Sequence, residues 1–509
     1  MNNNEFCHLH VHNEYSLLDG YGTAEAYVKR AKNLGFDYLA LTNHANIDGL
    51  IQFQKACNKF QLHPVMGCEA YVTPDISTKI KGEKRGHITL LIKNEKGFQN
   101  LCQLLTIANL QGFYYKPRID FSSLLNYCAG LVILTGCSSS FLTLSQGVGT
   151  FELLRKSVGD DLYLEVMPHN LEQQKEINAV CLNLSERYNV KMAASNDAHY
   201  VLPDDDKVHE VLLAIQTQAK MSDINRFRFV EKGLCIRTAD EMMHAFRVQD
   251  LLDNKQIRSS LRNTIEVAEK CKDFRINKQD IYLPVVPGYE NISCDDFLRD
   301  ICEKRLRDLT VTNNWSRNKV KLYRDRIEEE WKLINSKKFA SYFMVVWELV
   351  QWCKSNDIMV GPGRGSAGGS LVLFLIGVTS VDPVKYNLLF SRFIAEDRID
   401  YPDIDLDFED KKRHLIREHL ESLYGKNNVT SISTFLTMKG RAAIRDVARV
   451  YDIPLNEVDA FAKIIEDSNE ENGGCGGYCE CGAVFGVIPG SVHYRPNDSR
   501  EWWYVRQLK

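Results

Sequence analysis

The chain has 509 residues, 44% apolar and 26% charged, which is too long for a single domain and ordinary for globular cores. With 63 Lys and Arg against 67 Asp and Glu, the net charge is -4, so the chain as a whole offers no attraction to phosphate. Any contact with nucleic acid must come from basic residues concentrated locally. The start, MNNNEFCHLH, has no basic-then-apolar signal pattern, and the longest apolar runs, such as SLVLFLIGV, are too short to span a bilayer. The 15 cysteines are scattered without a regular framework, as expected of reduced thiols. A cytoplasmic chain with no membrane partner is the expectation.

From Phe6 to about Tyr200, short β-branched runs (YLALTNH, HITLLIKN, LVILTGC, DLYLEVM, KMAASNDAHY) alternate with helical stretches such as TAEAYVKRAKNLG. That alternation predicts βαβ units and a parallel sheet, open or closed into a barrel. A polar, helix-rich passage follows, and Pro284, Pro287 and Gly288 mark a linker near residues 284–291. Beyond it come helices rich in Arg, Lys and Glu, then an aromatic segment FASYFMVVWELVQWC, a Gly-rich loop, an acidic strand YPDIDLDF and a charged helix.

The opening HLHVH places His8, His10 and His12 on one face of an extended segment. A lone pair of this kind is more often structural than metal-binding. Here, however, His44 ends YLALTNH, Glu69 follows VMGC, His87 opens the next strand, Cys137 closes LVILTGC, and Asp197 and His199 close MAASNDAH. Strand ends in a parallel α/β barrel converge on one face, where active sites form. Imidazole, carboxylate and thiolate together suit zinc or manganese, so a metal-dependent hydrolytic centre is predicted.

HLHVHNEYSLLDG, LTNHANIDG, GCEAYV, LTGC and NDAHY resemble the successive motifs of the polymerase-and-histidinol-phosphatase (PHP) domain, found at the N-terminus of bacterial C-family polymerases. The resemblance implies a ligand set of His10, His12, Asp19, His44, Glu69, His87, Cys137, Asp197 and His199. It also implies removal of nucleotides in the 3′–5′ direction. The family usually has Thr-Asp-His where this chain has Thr42-Asn43-His44, and an amide cannot supply the negative charge, either as a ligand or in orienting His44.

IMVGPGRGSAGGSLVLFLIGV reads as strand, Gly-rich loop and helix, a form that brings backbone N–H groups and a helix N-terminus close to phosphate. Gly363, Gly365 and Gly368 also satisfy GxGxxG, but VDPVKYNLLF follows where a dinucleotide-binding fold needs a strand ending in an acidic residue. No Gly-Lys-Ser/Thr follows, which excludes an NTPase loop. In YPDIDLDF, alternation puts Asp403, Asp405 and Asp407 on one face and Ile404, Leu406 and Phe408 on the other. Paired Mg²⁺ ions would neutralise such carboxylates, while an exposed acidic edge is the plainer alternative.

GPGRGSAGGSLV, LLFSRFIAEDR, PDIDLDF and TFLTMKGRAAIRDV occur in the order found in C-family bacterial replicative DNA polymerases, which the chain resembles to about Ile465. By that resemblance Asp405 and Asp407 are two catalytic carboxylates, with Mg²⁺ as cofactor. Gly365, Ser366, Gly369 and Ser370 belong to the triphosphate-binding loop, and Arg364, Arg392, Arg398, Arg441 and Arg445 are candidate phosphate contacts. Arg441 stands where the family more often has Lys.

The family's third aspartate lies on a later strand, and no aspartate after Asp407 has that setting. The tail does not resemble the family's thumb. Its Cys475, Cys479 and Cys481, with His493, would make an unusual zinc site, and foreign sequence after an interrupted reading frame is an equal reading. The expected architecture is α/β. A PHP (β/α) barrel-like domain spans 1–285 and a nucleotidyltransferase-like palm 286–436. The start of a helical thumb covers 437–467, and a Gly/Cys-rich tail 468–509. The expected partners are primer-template DNA, dNTPs, a separate chain carrying the rest of the polymerase, and other replisome subunits. A phosphoesterase or exonuclease working through the barrel alone, and a silent DNA-binding module, are the alternatives.

Overall fold

The structure is a computed structural model, and it describes residues 1–277, 282–396, 401–432, 434–462, 493–494 and 502–505. The chain forms two compact units. The first contains residues 1–277 together with the segment that begins at Phe435, and the second contains the stretch between them.

In the first unit seven strands share one sheet: β1 (Tyr38–Leu41), β2 (His63–Thr73), β3 (Gly86–Ile92), β4 (Arg118–Asp120), β5 (Leu131–Leu134), β6 (Leu162–Val166) and β7 (Met192–Ala194). Their order is β1-β2-β3-β5-β6-β7, with β4 also on β2. The N-terminal HLHVH segment closes this sheet into a barrel. Ala40 N–H donates to the His8 carbonyl on one side, and His12 N–H to the Ala198 carbonyl on the other, at 2.9 and 2.8 Å.

The sheet departs from the all-parallel arrangement expected, because β3 runs antiparallel to both β2 and β5. The β2–β3 connection, residues 74–85, is irregular and holds none of the helix that usually carries a crossover between parallel strands. This reversal has a consequence for the site. His87 lies at the start of its strand, and only an antiparallel β3 brings that start to the rim where the other strands end.

Helices α1 (Ala24–Asn33), α2 (Leu50–Phe60), α3 (Glu95–Leu110), α4 (Phe121–Asn126), α5 (Gly147–Val158), α6 (Glu172–Tyr188), α7 (Asp206–Gln216), α8 (Ala239–Gln249) and α9 (Asn254–Cys271) complete this part of the unit. Helix α9 buries Ile257, Leu261, Thr264, Val267, Ala268 and Cys271 at three- and four-residue spacing, one apolar face of a helix. Its Val267, Ala268 and Cys271 pack with Cys7, Leu9, Val65, Leu91, Val132 and Tyr163, the barrel's interior residues. Apolar side chains therefore fill this part of the interior, and the polar ones gather elsewhere, at the rim.

The second unit is built on α10 (Cys294–Thr312), α11 (Arg317–Ser336), α12 (Ala340–Ser355), α13 (Leu371–Leu375) and α14 (Arg413–Tyr424). Trp331, Phe343, Leu371, Leu373 and Phe393 lie at the centre of its core. The aromatic segment read from the sequence is α12. Residues 359–361 run antiparallel to 407–409, with Gly361 N–H on the Asp407 carbonyl at 2.8 Å and Glu409 N–H on the Met359 carbonyl at 3.1 Å.

Helices α15 (Gly440–Val450) and α16 (Leu455–Ala462), expected to begin a separate thumb, group with the first unit. Met221 N–H donates to the Val450 carbonyl at 2.9 Å, and Lys220 pairs with Asp452 at 2.6 Å. The cysteines of the tail and the His493 side chain lie outside the described residues. No helix among the described residues is long and apolar enough to cross a membrane.

Candidate metal centre and nucleotidyl-transfer site

At the rim of the barrel the structure brings together all nine residues that the resemblance implied. Glu69 is the hub. Its carboxylate lies 2.6 Å from His44 Nδ1, 2.7 Å from His87 Nδ1, 3.4 Å from His10 Nε2 and 3.7 Å from His12 Nε2. The Cys137 thiol stands 3.4 Å from Glu69 Oε1 and 3.3 Å from His87 Nδ1. Asp197 Oδ1 is 3.3 Å from His10 Nε2 and 3.2 Å from His12 Nε2. Asp19 meets His44 Nε2 at 3.1 Å and His199 Nε2 at 3.9 Å.

Three overlapping triads result, each with its ligand atoms within 4.8 Å of one another: His12, His44 and His199; His10, His12 and Glu69; and Glu69, His87 and Cys137. His8 is not among them. Its Nε2 meets the Arg237 carbonyl at 2.8 Å and its ring packs against Phe6 and Phe36.

The arrangement fits metal ions on its own evidence. His10 Nε2, His12 Nε2, His199 Nε2, Asp19 Oδ1, Asp197 Oδ1 and Glu69 Oε2 are buried without a hydrogen-bond partner, a costly state for so many polar atoms in one place. The protein's own charges balance only by mutual strain. Burial pulls the His44 imidazole down, yet Glu69 and Asp19 hold it up at about 10. Burial and the neighbouring His44 and His199 push His12 down to about 3. Burial works against the Asp19, Glu69 and Asp197 carboxylates, but the surrounding imidazoles keep all three below the usual carboxylate range.

Two residues absent from the sequence reading support the ligands. Glu165, fully buried on β6, accepts from His10 Nδ1 at 2.8 Å, Gly136 N–H at 3.0 Å, Thr89 Oγ1 at 3.1 Å and Ser195 Oγ at 2.5 Å. It therefore keeps the proton of His10 on Nδ1 and turns Nε2 toward the centre. His209, on α7, stands 4.0 Å from Asp19. A glutamate inside the apolar run DLYLEVM was the only available signal for the first, and nothing in the helical pattern around His209 marked the second.

Asn43 does not act on His44, as its place in the motif suggested. Its Oδ1 accepts from Asn13 N–H at 3.0 Å, which fixes the amide's orientation. The Ser16 hydroxyl must then donate to that same Oδ1 at 2.9 Å. Ser16 Oγ is left to accept from His44 N–H at 3.1 Å and from His12 Nδ1 at 2.9 Å. His12 is thereby held as the Nδ1–H tautomer with its Nε2 lone pair facing the cluster. The other end of the amide, Nδ2, donates to Asn13 Oδ1 at 2.8 Å. The relay from Asn43 through Ser16 to His12 is complete without a carboxylate.

In the second unit, Asp403, Asp405 and Asp407 stand on the open side of their segment, while Ile404 and Leu406 pack on the core and Phe408 against α14, as alternation predicts. Only isolated bridges form here, Arg364 with Asp405 and Val360 with Phe408, so the acidic strand is shorter than expected. The Arg364 guanidinium is 3.9 Å from Asp405 and 3.8 Å from Asp407. Two glycines permit this approach. A Cβ on Gly361 would stand 3.1 Å from Asp407 Cβ, and one on Gly365, whose φ is +64°, would stand 3.0 Å from Asp405 Oδ2. Ser366 lines a cleft of about 220 Å³ with Phe393, Ile394, Tyr401 and Asp403.

The helix after the loop corrects one expectation. Helix α13 has only five residues, and its N-terminus is already filled. The buried Glu330 carboxylate accepts from Leu371 N–H at 2.9 Å, Val372 N–H at 3.0 Å and the Ser370 hydroxyl at 2.9 Å. Arg326 pairs with it at 2.7 Å and donates to the Gly369 carbonyl at 3.0 Å. The carboxylate occupies the place a phosphate would take, and Ser370 is fully buried. Arg392 lies exposed at the end of a short turn, and Arg398 falls outside the described residues. Arg441 and Arg445 are on α15, in the first unit, where Arg445 pairs with Asp459 at 2.9 Å.

A family model of the PHP domain matches residues 8–169, and one of the bacterial DNA polymerase III alpha NTPase domain matches residues 296–475. The DNA polymerase III subunit alpha of Aquifex aeolicus is 36% identical over 483 residues, covering 91% of this chain and 41% of that protein. The subunits of Borreliella burgdorferi and Treponema pallidum are each 36% identical over 91% of this chain, covering 40% and 39% of their own lengths. The chain thus spans about two fifths of the relatives it matches. Among solved structures, an amidohydrolase from Chromobacterium violaceum is 14% identical with a TM-score of 0.26, covering 38% of this chain and 87% of that one, a likeness too slight to carry weight. With both domains in that order and this identity across nearly all its length, the chain belongs to the bacterial DNA polymerase III alpha family.

Proposed function

We propose that this chain supplies the N-terminal part of a DNA-directed DNA polymerase, the alpha subunit of a bacterial replicase, and that its barrel is a metal-dependent hydrolase acting on DNA 3′ ends. The polymerase reading is carried by one observation: Asp405 and Asp407 face open space beside Arg364, over a glycine-lined loop that leaves room beside them. In this reading Asp405 and Asp407 hold Mg²⁺, and Gly365, Ser366 and Gly369 border the triphosphate. Arg364 and Arg392 contact phosphates, as Arg398, Arg441 and Arg445 would. Ser370, committed to Glu330, fixes the loop rather than touching the nucleotide. The third carboxylate comes from the further length that the relatives possess. Primer-template DNA, dNTPs, a chain or segment carrying that remainder and other replisome subunits are the partners, and the cytoplasm is the compartment.

The completeness of the barrel site favours the second activity. Zn²⁺ or Mn²⁺ would be held by His10, His12, Asp19, His44, Glu69, His87, Cys137, Asp197 and His199. When bound, such ions activate water and stabilise charge on a scissile phosphate. Glu165 and the Ser16–Asn43 relay keep the His10 and His12 lone pairs aimed inward, so the ligands need little rearrangement.

Primer extension tests the first reading. The purified chain should give none by itself and should gain it on addition of a polypeptide carrying the rest of the family's polymerase domain. Extension by the chain alone would contradict the sharing of carboxylates proposed here. Metal-dependent degradation of a 3′ end, lost in His10→Ala, is the expected result for the barrel.

A further inference from the structure

Beside the metal centre, the loop between β2 and β3 and the turn at residues 113–116 enclose a cleft of about 280 Å³. Arg118 pins the two together. Its guanidinium is spent on the Gly112, Ile76 and Thr78 carbonyls and on Glu83, at 3.0–3.3 Å. With Glu83 so engaged, the loop's remaining cations, Lys79, Lys81, Lys84 and Arg85, have no carboxylate partner among the described residues, and neither has Lys116. A strongly positive rim on a chain of net charge -4 is a local concentration of the kind that phosphate requires.

Aromatic rings are interleaved with these charges. Tyr114 and Tyr115 line the cleft, their ring centroids 4.7 Å apart, and Tyr115 is 68% exposed. Tyr115 has a φ of +60°, a conformation that a bulky side chain rarely adopts, held by Tyr114 N–H on the Lys116 carbonyl at 3.1 Å. The cleft residue Arg118 is the register partner of Tyr71, whose ring stands against the metal centre. The Tyr71 ring lies 5.1 Å from that of His87 and is stacked 5.8 Å from that of His44. Lys116 Nζ is 5.7 Å from the centroid of the same Tyr71 ring.

We infer that this cleft binds the single-stranded end of a DNA chain and delivers its terminal phosphodiester to the metal centre. Lys84, Arg85 and Lys116 take backbone phosphates, and Tyr114 and Tyr115 stack bases, the combination by which proteins hold single strands without reading sequence. The cleft lies at the small end of ligand-binding sites and admits one nucleotide rather than a duplex. The choice of substrate rests on the hydrolase reading of the barrel.

The test uses the whole chain in EDTA, so that binding is read apart from hydrolysis. A fluorescent oligothymidine with a photoreactive pyrimidine at its 3′ end is titrated by anisotropy, then crosslinked and mapped. The proposal expects the crosslink within residues 79–85 or 113–116. It also expects affinity to fall about tenfold in Tyr115→Ala, and more in Lys84→Glu/Arg85→Glu, with a shallower salt dependence in the double variant. Both variants lie on the surface, and an unchanged melting curve confirms their fold. A crosslink elsewhere, unchanged affinity in both variants, or equal competition by a blunt duplex would overturn it. A crosslink at the cleft without hydrolysis on adding Mn²⁺ would leave the cleft standing and overturn the hydrolase reading instead.

Discussion

The barrel rim and the acidic segment of the second unit both gather carboxylates, but they treat the charge differently. In the barrel, Glu69 is 1% exposed, and Asp19 and Asp197 18% and 14%, each set against imidazoles whose free nitrogens have nowhere else to turn. In the second unit Asp405 is 30% and Asp407 60% exposed, with the Arg364 guanidinium about 4 Å away as their ion-pair partner among the described residues. Buried charges interact strongly and are costly when unmatched, whereas water screens exposed ones at little cost. The first site is therefore bound to the folding of its own unit and asks for cations in order to be comfortable. The second leaves its carboxylates to solvent and places no such demand on the fold around it.

That contrast is best attacked where it predicts the largest effect. Stripping metal with a chelator should destabilise the barrel by about 4 kcal/mol when free metal had exceeded its dissociation constant a thousandfold, a drop of roughly 10 °C in its melting transition. His12→Ala should melt at the same temperature with or without chelator. A wild-type transition indifferent to chelator would mean that the orphaned ligand atoms are satisfied some other way.

A smaller effect sharpens the account of Asn43. Ser16→Ala removes the hydroxyl that holds the His12 tautomer, so metal affinity should weaken about 10- to 100-fold while binding persists. Competition with a chromophoric chelator reads this directly, and unchanged affinity would show that the relay does not set the ligand. The smallest effect belongs to the second unit. Asp405→Asn should change stability by less than about 0.5 kcal/mol by denaturant titration, since its carboxylate is partly solvated and has no hydrogen bond among the described residues. A loss well above that would mean that the segment is held more tightly than its exposure implies.

The sequence disclosed which side chains cluster at the rim better than it disclosed the scaffold. His10, Glu69, Cys137 and Asp197 stand out because metal-capable side chains recur at the ends of apolar runs. The same runs cannot reveal strand direction, so the antiparallel β3 was not anticipated, although His87 at the head of its strand makes sense only with it. Alternation in YPDIDLDF gave the right faces because one side of that segment packs on a core. Glu330 was invisible for the opposite reason. Its partners lie some forty residues away along the chain, and a glutamate in a charged helix looks like any solvated one until the fold buries it under the Gly-rich loop. The grouping of α15 with the first unit was equally hidden, since it depends on a long-range pairing with the segment after α7.

We hold that the barrel residues form a metal site by themselves and that Asp405 and Asp407 by themselves do not. Metal analysis of the purified protein after exhaustive dialysis tests it most directly. The account predicts tightly held Zn²⁺ or Mn²⁺ that is lost in His12→Ala and retained in full by Asp405→Asn/Asp407→Asn. Metal that survives His12→Ala but disappears with the two aspartates would contradict it.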